Sequence, residues 1–214
     1  MKSAERPGRF QYGRSEKNRV EAFSDGVLAI VITLLVLELR LPALASFSES
    51  ALRGAIIHML PEIWAWIVSF LFVLVFWVNH HYFFAGLRRT DRGLLWLNGL
   101  FLLAISFTPF PTGLVGNYPS SGTAAGMLSL AMFLTASAFS LMRWYVARSD
   151  GLSDLPRPVR QRAFRAGLVG PFAYALAMAL SLLWTPGALL IQTVVPMIFF
   201  LRAPIGAGEE GGER

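Results

Sequence analysis

Residues 19–37 read RVEAFSDGVLAIVITLLVL. After Asp25 no charge appears until Glu38, and branched apolar residues fill the interval. With its flanks the run is long enough to cross a bilayer, which takes about 20 residues. Five similar runs follow, so the chain reads as an all-α integral membrane protein with six transmembrane helices. The six fall at 20–39, 62–86, 93–116, 122–146, 164–184 and 187–203. The third ends in Phe107-Thr108-Pro109-Phe110-Pro111-Thr112, so regular helix kinks or stops near Pro109. The sixth is short and contains Pro196. No internal repeat is visible.

Composition agrees. Of 214 residues, 55% are hydrophobic and 15% charged, against roughly 25% charge in a soluble domain. Such a chain is neither disordered nor a typical soluble enzyme, and six spans leave no room for a second soluble domain. Three regions are expected: a basic segment over 1–18, a six-helix domain over 19–203, and a disordered tail over 204–214. That tail is rich in glycine and carries Glu209, Glu210 and Glu213. Cysteine is absent, which removes disulfides, thiolate nucleophiles and Cys-based metal sites.

Lysine and arginine set the orientation. Lys2, Arg6, Arg9, Arg14, Lys17 and Arg19 precede or open the first span, and Arg88, Arg89 and Arg92 join spans two and three. Arg143, Arg148, Arg157, Arg160, Arg162 and Arg165 join spans four and five, and Arg202 and Arg214 follow the sixth. Together these are 17 of the 19 basic residues, with only Arg40 and Arg53 on the other side. The positive-inside rule then puts both termini in the cytoplasm, as an even number of spans requires. A multi-pass protein of the cell's inner (plasma) membrane is expected. The net charge of +6 is explained by orientation, and no nucleic-acid partner is expected. Ala43-Leu44-Ala45 imitates a signal-peptide cleavage site. The long basic region and Asp25 at the start of the apolar stretch argue for a retained helix.

Phe23, Val27, Ile30, Leu34 and Leu37 follow 4-3-4-3 spacing on the first helix and share a face. Thr33 lies beside Ile30 and Leu34. A packing face against neighbouring helices and a pore wall both satisfy this stripe. Repeated around an axis, Ile30, Leu34 and Leu37 would form stacked apolar rings over ~10 Å that close a pore by dewetting. Thr33 would add a ring of hydroxyl oxygens able to coordinate a dehydrated cation.

Asp25, Asn79, His80, His81 and Asn98 each lie about six residues inside a span, ~9 Å from its basic end. Ionisable groups at that depth are costly unless paired or wet, so a shared polar cluster is expected. Arg19 can reach it from the boundary. For His80 and His81, an interhelical hydrogen-bonded clamp, a pH-sensitive gate and metal ligation all remain open. Adjacent histidines diverge by about 100°, which weighs against a metal, and none is expected. Asp25 faces about 140° away from Ile30, toward helices two and three. His58 and the tryptophans near span ends suit the membrane interface.

Arg19-x-x-x-Phe23-Ser24-Asp25-Gly26, followed by Ile30 and Thr33, resembles the signature of the transmembrane-protein-175 family of potassium channels. The likeness extends to Trp77-x-x-His80-His81, to Asn98 and to Phe110-Pro111-Thr112. It covers residues 15–115. The resemblance implies a homotetramer in which helix one of four subunits lines a central pore without a TVGYG filter, potassium being the permeant ion. It assigns the constriction to Ile30, Leu34 and Leu37, and potassium selectivity, modest in degree, to Thr33. A network supporting the pore helix is implied for Arg19, Phe23, Ser24, Asp25, Asn98 and one of His80 or His81. It also makes the apparent signal peptide the pore helix itself.

The alternative function is a secondary transporter with a midplane site at the Pro-broken spans, although no inverted repeat or midplane ionisable residue supports it. No catalytic triad, HExxH or phosphate-binding glycine loop is present, so an enzyme, a cofactor or a small-molecule substrate is not expected. The lipid bilayer is the expected surrounding.

Overall fold

A computed structural model of the chain describes residues 9–44, 48–149 and 151–201. The expected tail at 204–214 lies outside them, as do residues 1–8 of the expected basic segment. The described residues are helical apart from connecting turns and one antiparallel bridge between Leu87 and Ser153.

Helix α1 runs Arg9–Leu35 and closes in a 3-10 turn, Val36–Glu38. It is followed by a short α2, Glu49–His58, and by α3, Leu60–Ala85. Next come α4, Arg92–Ser106, and α5, Pro109–Asn117, which together fill the third expected span. The long α6 covers Gly122–Arg148, and α7, Arg157–Gly167, leads into α8, Val169–Ser181. Finally α9 covers Thr185–Leu201.

Five stretches are long and apolar enough to cross a membrane: Glu16–Glu38, Leu60–Ala85, Arg92–Asn117, Gly122–Arg148 and Arg157–Ser181. The sixth expected span is α9, apolar throughout but 17 residues long. At 1.5 Å per residue it measures about 26 Å, slightly short of the hydrocarbon layer. Near Pro109 the third span bends without leaving the helical path. Pro109 has no N–H to donate, yet Thr108 keeps helical dihedrals and the N–H groups of Phe107 and Thr108 bond three residues back.

The core is organised on α6. Of its apolar window 61% is buried, against 22% for α1. Small residues at Ala124, Ala131 and Ala136 let α4 and α8 pack closely against it. An aromatic layer of Phe72, Phe76, Phe101 and Phe139, with rings 4.9–5.8 Å apart, joins α3, α4 and α6. By contrast α1 lies at the periphery, against α3 and α4, through Ser24, Leu28, Val31 and Leu35.

Candidate functional site

The two faces of α1 differ sharply. Leu28 and Leu35 are fully buried, and 4-3-4 spacing with Ser24 and Val31 gives them one stripe. On the other side Phe23, Ile30 and Leu37 are 60–65% exposed and Leu34 42%. Val27 is partly buried, at the edge between the faces. Thr33 is exposed on the bare side and its hydroxyl donates to the Ile30 carbonyl at 2.9 Å. An apolar face of this length is thus left without a partner in a single chain.

A directional chain of hydrogen bonds fixes the rotation of α1. His80 Nε2–H donates to Asn98 Oδ1 at 2.9 Å, Asn98 Nδ2 donates to Ser24 Oγ at 2.9 Å, and the Ser24 hydroxyl donates to the Val20 carbonyl at 2.8 Å. Reversing the Asn98 amide would turn Ser24 into a donor toward it and forfeit the Val20 bond, so this order satisfies most groups. All three side chains are buried: Ser24 and His80 at 0% exposure and Asn98 at 3%. The imidazole stacks on Phe84 at 4.4 Å and on Phe101 at 5.6 Å, so α3, α4 and α1 are joined inside an aromatic wall.

The single polar cluster expected from depth is therefore divided. Asp25 does not enter the chain; its Oδ1 accepts from Trp77 Nε1 on α3 at 3.1 Å. Of the second and third spans that Asp25 is expected to face, this bond reaches the second, α3. His81, the neighbour of the clamp histidine, is exposed and lies 3.4 Å from the Glu21 carboxylate. Asn79 turns to α6, accepting from Arg143 at 2.8 Å. Arg19 and Phe23 are exposed and border an open groove with Leu95, Asn98 and Leu102, outside the buried chain.

Further contacts seat the helices that carry this clamp. Asp91 Oδ1 accepts the Leu94 N–H and caps α4, while its Oδ2 accepts from the Tyr145 hydroxyl of α6 at 2.9 Å. Gly93 lies beneath that hydroxyl, where any Cβ would overlap it. Lys17 Nζ donates to the Leu87 carbonyl at 3.1 Å and ties α1 to the α3–α4 turn. Toward the opposite end Ser69 and Thr112 share a buried hydrogen bond of 2.7 Å between α3 and α5. Ser69, set between Val68 and Phe70 in an apolar run, is the one sequence sign that a partner is needed there, and nothing in the sequence names Thr112 as that partner. Among the described residues no group of three or more His, Cys, Asp or Glu could hold a metal.

A sequence profile of the family described as "Endosomal/lysosomal potassium channel TMEM175" matches residues 19–109. A potassium channel of Streptomyces collinus is 35% identical over 208 residues, 91% of this chain and 97% of that one. The crystal structure of a lysosomal potassium-selective channel TMEM175 homolog from Chamaesiphon minutus superposes with a TM-score of 0.80 at 34% identity, covering 88% of this chain and 98% of that one. A human protein named an endosomal/lysosomal proton channel is 33% identical over 140 residues, which is 61% of this chain and 28% of that protein.

Proposed function

This chain belongs to the TMEM175 family of potassium channels, and on that footing we propose that four copies surround an axis with α1 lining a potassium-conducting pore. The bare face of α1 carries the reading: Ile30 is 60% and Leu37 62% exposed on a helix whose opposite side is sealed. A helix that merely faced lipid would not need a buried hydrogen-bond chain to fix its rotation. The Ser24–Asn98–His80 chain supplies that fixation, and Asp25 on Trp77 adds a second hold on α3.

In this assembly Ile30 forms the narrowest apolar ring, and Leu34 and Leu37 stack beyond it over ~10 Å. An apolar constriction of this length empties of water and blocks ions until it widens. Thr33 spends its hydroxyl proton on the Ile30 carbonyl, which leaves its oxygen lone pairs toward the axis as weak cation ligands. That chemistry supports modest selectivity for potassium over sodium. Arg19 and Phe23, exposed within one subunit, lie where a neighbouring copy would cover them. Six spans, α9 being the shortest, with both termini cytoplasmic in the plasma membrane, complete the reading. It needs no cofactor and no catalytic group.

Purified protein in liposomes under opposed potassium and sodium gradients tests the proposal. The expected result is a reversal potential set by potassium and a larger flux for Ile30→Asn, whose amide wets the constriction. Equal flux in wild type and variant would remove the gate from Ile30. Saturating flux that depends on a counter-ion would replace the channel with coupled transport near Pro109 and Pro196, although α9 runs unbroken through Pro196. A proton gradient imposed in the same vesicles asks whether protons share the path, as the human relative's name suggests.

A further inference from the structure

Arg143 lies five residues before the end of α6, about 7 Å inside the basic end of the bundle. Its guanidinium donates to Asn79 Oδ1 on α3 at 2.8 Å and to the Ala163 carbonyl on α7 at 3.4 Å, and sits 4.7 Å over the Phe139 ring. None of these is an anion, and no carboxylate among the described residues pairs with it. A cation within a span is costly unless water or an opposite charge faces it.

Beside Arg143 is a cavity of about 180 Å³, several times the ~30 Å³ that one water occupies. Tyr82, Val146, Leu155 and Ala163 contribute walls, and no lining residue is acidic. Arg160 also lines the wall, where its guanidinium donates to the carbonyls of Val146 and Ser149. Arg88 and Arg89 follow the end of α3 and Arg162 lies on α7, so the mouth belongs to the level of lipid headgroups.

We propose that this cavity is a phospholipid site in which the lipid phosphodiester pairs with Arg143. Two of the guanidinium N–H groups are used in the bonds above, and the others can take phosphate oxygens as a fork. The source is a membrane lipid because the walls are chiefly apolar, which suits glycerol esters better than a hydrated free ion. On its other flank Arg143 borders a cleft of only about 40 Å³ among Phe72, Phe76, Tyr174 and Phe199, too small for an acyl chain, so the lipid tails would run along the outer surface of the bundle.

Native mass spectrometry of the full chain in non-ionic detergent, titrated with phosphatidylglycerol, tests the site. Wild type should retain the lipid, and Arg143→Gln should bind it about tenfold more weakly. Ala163→Phe, on the exposed side of α7, should fill the cavity and lose the lipid with the charge intact. Arg148→Gln, whose guanidinium stacks 4.6 Å over Trp144, should bind as wild type does. Undiminished binding by Ala163→Phe overturns the proposal even if Arg143→Gln fails to fold. Displacement of the lipid by excess inorganic phosphate would overturn the lipid assignment in favour of a free-anion site.

Discussion

The clamp concentrates its cost at one side chain. Asn98 is donor to Ser24 and acceptor from His80, so removing it leaves the His80 Nε2–H unpaired inside the Phe84–Phe101 stack. An orphaned buried donor costs about 1–3 kcal/mol, and for a chain of this size each kcal/mol moves the midpoint by about 2–4 °C. Asn98→Leu should therefore lower the thermal midpoint of the purified protein by several degrees. His81→Leu should leave it nearly unchanged, because His81 is exposed and meets Glu21 and the Tyr82 ring at the surface. A similar loss in both would deny the buried chain its special weight. The depth of these polar groups was legible in the sequence, since each lies about two turns inside a span. Which histidine turned inward was not. Neighbours on a helix point about 100° apart, and the choice rests on partners, here Asn98 and two phenylalanines, that periodicity on one helix cannot supply. The same blindness hid Trp77 as the donor to Asp25.

At the level of elements, α4 must be seated before Asn98 can reach α1. Asp91 does this with both oxygens, capping α4 through Leu94 and holding Tyr145 of α6. Asp91→Ala forfeits a cap worth about 0.5–2 kcal/mol together with the phenol bond, whereas Tyr145→Phe forfeits only the latter. Thermal unfolding should thus rank Asp91→Ala below Tyr145→Phe, and the reverse order would show that the cap is idle. The apolar spans and the bend at Pro109 could be read from hydropathy and proline chemistry. Two helices escaped that reading for opposite reasons. Helix α7 carries Arg157, Arg160, Arg162 and Arg165, too polar to register as part of a span although it continues into α8. Helix α2 is too short for a hydropathy window, and its signal was local: Ser48 accepts the Ala51 N–H ahead of Glu49 in the first turn.

For the whole molecule the informative contrast is between α6, sealed in the bundle, and α1, bare along Phe23, Ile30, Leu34 and Leu37. Hydropathy made both of them spans but could not rank their burial, because lipid, a neighbouring helix and a second copy are equally tolerant of leucine. Assembly is where the two faces of α1 acquire different meanings, and the absence of native cysteine makes this measurable. A single Leu37→Cys in otherwise native sequence places a thiol on the proposed axis, so a thiol-specific crosslinker should join chains in high yield within membranes. Phe172→Cys is a matched control: Phe172 is 72% exposed, but on α8, which packs against α6 and α9 and in the proposed tetramer looks outward to lipid. Random encounters in the bilayer would join both variants alike, whereas an axial assembly joins Leu37→Cys chains preferentially, the product being a covalent dimer because each chain carries one thiol. Equal crosslinking of the two would remove α1 from the axis, and with it the assignment of Ile30 as the gate.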